Sequence, residues 1–78
     1  MMNNLEIKYE GRRKYVIIDG KEVDVVFILN TAQMIKYVKN GLKPLDIFYS
    51  EISQKVIYVY GKEESHEFYE LWCKRELL

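Results

Sequence analysis

The residue types that carry chemistry are few in this chain, and none stands in a working set. His66-Glu67 is followed at position 70 by Glu, where a zinc-binding helix would place its second imidazole. Cys73 is the single cysteine, so no internal disulfide can form. Beside Trp72 on a helix it reads as a structural thiol rather than a nucleophile. Ser50, Ser53 and Ser65 fall in turn or cap contexts, and none is framed by the Gly-x-Ser-x-Gly elbow of a hydrolase. Gly20, Gly41 and Gly61 stand singly and make no phosphate-cradling loop. Catalysis needs convergent polar groups in a pocket, and 78 residues leave little room for one. The expectation is a protein that is not an enzyme and needs no cofactor or metal.

Charge is more informative in its distribution than in its sum. Twelve Lys/Arg balance twelve Asp/Glu, so no global basic field attracts nucleic acid or an anionic membrane. Residues 1–45 carry eight bases against five acids, a net +3; residues 46–78 carry four against seven, a net −3. Such polarity suits head-to-tail association of copies. The run Arg12-Arg13-Lys14 could meet phosphates or an acidic protein, or could simply keep a sheet edge soluble at a hairpin tip.

Composition sets the scale of whatever positions these residues. The chain is 49% apolar and 31% charged, ordinary globular usage for one domain spanning 1–78. A domain this small buries only about 60–65% of its unfolded surface, so its core is thin. No Pro-, Gly- or Ser-rich linker divides it. The lone cysteine suits a reducing compartment, the Met1–Glu6 stretch lacks an apolar leader core, and no apolar run approaches the ~18 residues of a membrane span. A cytoplasmic protein without a membrane partner is expected.

Taken in order, Leu5–Tyr9 alternates apolar and charged residues as a half-buried strand does. Glu10–Arg13 is a turn and Lys14–Ile18 the return strand. Asp19-Gly20 is the strongest hairpin signal, leading into a third strand at Glu22–Leu29. Burying Asp24 would be costly, so its opposite face, with Val23, Val25, Phe27 and Leu29, is expected to form the core. Asn30 caps a helix over 31–40, with Gln33 completing a capping box, and the helix stops at Gly41 with Pro44 beyond. Its inward stripe is expected to be Ile35, Val38 and Leu42. Strands follow at Leu45–Ser50 and Lys55–Tyr60, then a last helix after Gly61 with Phe68, Leu71, Trp72 and Arg75 inward. The fold class is α+β: an antiparallel sheet with two helices on one face, in the order β-β-β-α-β-β-α.

The aromatic residues give the strongest functional hint. If Ile57 and Val59 face the helices, then Val56, Tyr58 and Tyr60 face away, with Phe48 beside them. An outer face of that kind is the residue class enriched at protein interfaces. Tyr58 and Tyr60 at period two could instead stack bases, though Lys55–Lys62 lacks the Gly-aromatic pattern of RNA-recognition domains. The first hairpin is the alternative cover for this face.

Phe27-Ile28-Leu29-Asn30 entering a short helix, Tyr37–Leu42, Leu45-Asp46-Ile47, Val56–Tyr60 and an acidic helix ending at Trp72 form one further pattern. In these features the chain resembles a family of small uncharacterised domains from phages, plasmids and low-GC Gram-positive bacteria. The resemblance leaves the first hairpin outside and implies a phage or mobile-element origin, but no site residues. The expected function is a non-enzymatic protein-interaction module, specifically an anti-defence (anti-CRISPR-like) inhibitor that binds a host protein complex. Its expected partner-binding residues are Phe48, Tyr58, Tyr60, Arg12, Arg13 and Lys14, with a homodimer as one form. The alternative is a small nucleic-acid-binding accessory or regulatory protein.

Overall fold

The computed structural model describes residues 5–78; residues 1–4, the first part of the stretch read for a leader, lie outside them. Turn chemistry places the elements. Asp19 and Gly20 both take positive φ, 51° and 79°, which matches the right-handed twist of the strands they join. They connect β2 (Arg13–Ile18) to β3 (Lys21–Ile28), and β1 (Lys8–Glu10) precedes both. β3 leads to α1 (Thr31–Lys39), which is followed by β4 (Asp46–Ser50), β5 (Lys55–Gly61) and α2 (Lys62–Cys73). The expected element order holds, with β1 shorter than the alternating run Leu5–Tyr9.

The caps of α1 are largely as expected. Asn30 Oδ1 accepts the Gln33 amide at 3.1 Å. Gly41, at φ 92°, allows Leu42 N to donate to Tyr37 O and Gly41 N to Val38 O, closing the last turn. The Gln33 side chain does not reach back to complete a capping box. It is buried, and its Nε2 donates instead to the Tyr37 hydroxyl at 2.8 Å.

The five strands pair antiparallel in the order β1-β2-β3-β5-β4. β3 changes partner halfway: Lys21–Asp24 pair with β2, and Val25–Ile28 pair with β5. Both helices cover one face of the β3-β5-β4 part. There Ile28, Tyr58 and Tyr60 are buried with Tyr37, Leu42 and Leu77, and Val26, Ile47, Phe68 and Trp72 pack around them. The first hairpin belongs to the opposite face, where Val16, Val25 and Val59 are buried beside Phe27, Phe48, Leu5 and Ile7.

Both faces of β5 are therefore covered, and the expected phase is overturned. Tyr58 and Tyr60, not Ile57 and Val59, lie under the helices. Asp24 explains the difference. It shares a face with Val26 and Ile28, but it lies on the β2-paired half of β3, where it stays exposed and accepts Arg13 Nε at 2.7 Å. Its charge never needed the opposite face.

The helix stripes shift for a related reason. Ile35 is 49% exposed and Val38 also faces out, while Gln33 and Tyr37 turn inward. A polar residue holds this core position because its amide finds the Tyr37 hydroxyl. In α2 the inward residues are Ser65, Phe68 and Trp72; Leu71 is largely exposed, and Arg75 is exposed just past the helix end. Lys36 joins the two helices, its Nζ donating to Leu77 O at 3.1 Å and lying 6.0 Å from the Trp72 ring centroid.

Candidate interaction surface

The residues that could have done chemistry are engaged structurally or dispersed. Ser65 Oγ is buried and donates to Gly61 O at 2.7 Å, bracing the first turn of α2. Ser50 Oγ accepts the Ser53 amide in the β4–β5 turn. His66 is exposed, with Nε2 2.7 Å from Glu70 Oε1 along the helix surface. Cys73 is exposed, and its hydrogen bond with the Tyr69 hydroxyl raises that phenol above its usual value. Among the described residues no group of three or more His, Cys, Asp or Glu gathers as a metal site would require. No described helix is long and apolar enough to cross a membrane.

The basic run does not converge. Arg13 is held by three carboxylates, with Asp24 at 2.7 Å, Glu22 at 3.0 Å and Glu10 at 3.7 Å, and it lies over the Tyr15 ring. Hydrogen bonds that Arg13 donates to Asp24 and Glu22 raise its pKa. Lys14 Nζ sits 5.1 Å from the Phe27 ring centroid on the opposite face of the sheet from Arg13. Arg12 stays exposed in the hairpin turn.

The expected aromatic patch is divided between two faces. Tyr60 is fully buried and Tyr58 only 9% exposed, both under the helices. The Tyr60 ring meets Tyr37 edge-on at 5.1 Å, and its hydroxyl donates to Leu42 O at 3.4 Å. Burial pushes its pKa up to about 12. Phe48 is half-buried on the other face, edge-on to Phe27 at 5.5 Å. The loop length separates them. With Ser50 opposite Lys55 across a four-residue turn, Phe48 falls opposite Ile57 and Ile47 opposite Tyr58.

The exposed apolar surface lies one step further along the same hairpin. Tyr49 and Val56 are register partners, 59% and 42% exposed, and Ile52 at the turn is fully exposed. At the other end of β4 a cleft of about 520 Å³ opens between Leu5, Ile7 and Tyr9 on one side and Asp46, Ile47 and Phe48 on the other. Asp46 organises that end. Its buried carboxylate accepts the Leu5 amide at 3.2 Å through Oδ2 and the Ile47 amide at 2.9 Å through Oδ1. Leu45 N also donates to Val59 O, the residue opposite Asp46, so the strand starts with a bulge.

A larger groove of about 1040 Å³ runs between the β2–β3 hairpin and the start of α2. Glu22, Asp24, Glu63, Glu64 and Glu67 make it acidic, with Lys62 and His66 also in its lining.

Sequence reasoning missed Tyr49 and Ile52, whereas Val56, expected on the outward face, is exposed. One signal was present: Ile52 is a large β-branched residue inside a polar four-residue turn, where no neighbouring chain segment could cover it. No family model matches the chain, and no curated protein or solved structure matches it either.

Proposed function

We propose that this chain is a non-enzymatic protein-interaction module whose docking surface is the β4–β5 hairpin end. The observation that carries the reading is the full exposure of Ile52 ahead of the exposed Tyr49–Val56 pair. An aliphatic knob backed by an aromatic is the surface chemistry that protein interfaces favour, and it has no role in this domain's own core. The nucleic-acid alternative has less support, because Arg13 is neutralised by carboxylates and the Tyr58 and Tyr60 rings offer no open face for stacking. The mobile-element origin implied by the resemblance makes a host protein complex the class of partner, with anti-defence inhibition as its specific form.

Affinity capture from a host lysate with wild-type and Ile52→Asp baits tests the reading, with circular dichroism confirming both folds. The expected result is a partner retained by the wild type and lost by the variant. Identical captured sets would reject the hairpin end as the docking surface.

A further inference from the structure

The groove beside α2 sets an apolar floor between two charged walls. Ile18, Val23 and Leu45 are half-buried in it, and Val23 Cγ1 and Leu45 Cδ1 both come within 3.9 Å of where a Gly61 Cβ would sit. Glu22 and Asp24 stand exposed on the β3 wall, on one face of the strand and about 6.8 Å apart along it. Glu63, Glu64 and Glu67 stand exposed on the α2 wall, with Glu67 about 6 Å along the helix from Glu63. Two rows of carboxylates of similar spacing thus flank one apolar strip.

The charge of these walls is not balanced within the chain. Among the described residues, Lys62 is the only lysine or arginine in the lining. Arg13 reaches Asp24 and Glu22 from β2, and even with it counted three negative charges remain. Glu63, Glu64 and Glu67 have no ion-pair partner among the described residues. The helix dipole accounts for Glu63 and Glu64 in the first turn, but not for Glu67 beyond it. Nor do the carboxylates gather as a metal ion requires; they are strung out along the walls.

We propose that this groove docks a Lys/Arg-rich segment of a partner protein, with aliphatic stems on Ile18, Val23 and Leu45 and charged heads on the two carboxylate rows. Lysine and arginine carry both parts in one side chain, so one residue type satisfies floor and walls together. Arg13 already does this within the chain. Its guanidinium lies 4.2 Å from the Tyr15 ring centroid while Nε and Nη2 meet Asp24 and Glu22. A wholly apolar partner would strand the carboxylates away from water, and a polyanion would be repelled. The groove lies at the opposite end of the β4–β5 pair from Ile52, and the inference stands apart from the hairpin-end reading.

Fluorescence anisotropy with a labelled octa-arginine peptide tests this, joined to mapping of amide NMR shifts. The peptide is expected to bind, more weakly as salt rises. Glu63→Gln, Glu64→Gln and Glu67→Gln combined should raise its dissociation constant about tenfold or more. The combination Glu6→Gln, Glu51→Gln and Glu76→Gln makes the same change in net charge outside the groove and should leave the constant within about twofold. In the wild type, the amides of Val23, Leu45 and Gly61 should shift on titration. Circular dichroism checks each variant's fold, and the shift mapping needs no variant at all. Absence of binding at low salt overturns the proposal, as does equal weakening by the two triple variants. Shifts confined to residues outside the groove overturn it too.

Discussion

Gln33 Nε2 donates to the Tyr37 hydroxyl at 2.8 Å inside the layer between α1 and the sheet, joining the two inward residues of that helix. Tyr37→Phe removes the acceptor and strands a buried amide, which should cost roughly 1–3 kcal/mol. Adding Gln33→Met removes the donor as well and should recover much of that loss, since an apolar pair needs no partner. Urea midpoints of the two single variants and the double variant measure the coupling. Simple additivity would show that the bond contributes nothing.

Tyr60 gives the domain a defined alkaline limit. Buried, its phenol is pushed up to about 12 from an ordinary 10.0, and burial raises Tyr37 as well. The unfolded chain loses these protons near pH 10 while the folded protein keeps them. Unfolding therefore releases protons in that window, and stability, full below pH 10, falls as pH rises towards 12. For Tyr60 alone the loss integrates to about 2–3 kcal/mol. Tyr60→Phe should flatten this part of the stability profile, and absorbance of the phenolate on titration gives a direct check. Ionisation of every tyrosine near pH 10 in the folded protein would contradict the burial.

The two helix ends share one motif and differ in the residue that must take positive φ. Gly41 does so at 92°, and among the described residues nothing lies within 4 Å of where its Cβ would sit. Gly41→Val should thus lose more than about 1 kcal/mol for backbone reasons alone. Past α2 the same pattern recurs, with Arg75 N donating to Trp72 O and Glu76 N to Leu71 O, but Arg75 takes φ 60° with a full side chain. Arg75→Gly should therefore stabilise by about 0.5–1 kcal/mol, less strain offset by a more flexible unfolded chain. Opposite shifts in melting temperature are expected, and two shifts of the same sign would rule out a common motif.

Element order was legible because its marks are local. Asn30, Gly41 and Asp19-Gly20 each act within a few residues, through a cap or a positive φ. Which face went where was not local. β5 is buried on both sides, so alternation along Lys55–Gly61 contains no inside and outside to choose between. Asp24 misdirected the choice because its neutralising partner, Arg13, lies on the neighbouring strand. Gln33 looks like a surface residue until Tyr37 is placed beside it. At the candidate surface Ile52 could be found from its turn, whereas the cleft depends on Leu5 meeting Asp46 across 41 positions.

Asp46 is where the last prediction bears. Its carboxylate serves two amide donors, Leu5 and Ile47, and only a group with two free acceptor oxygens can satisfy both. Asp46→Asn keeps the shape but turns one oxygen into an NH₂, so one backbone amide would face a second donor. The site is buried, and the mismatch should cost roughly 1–3 kcal/mol. The Leu5 bond, at 3.2 Å the longer of the two, is the one expected to yield. Faster hydrogen exchange is then predicted at the Leu5 amide, while the β2–β3 and β3–β5 ladders keep their protection. An Asp46→Asn protein with unchanged melting temperature and unchanged exchange at Leu5 would mean that the first hairpin is held to β4 by apolar packing alone.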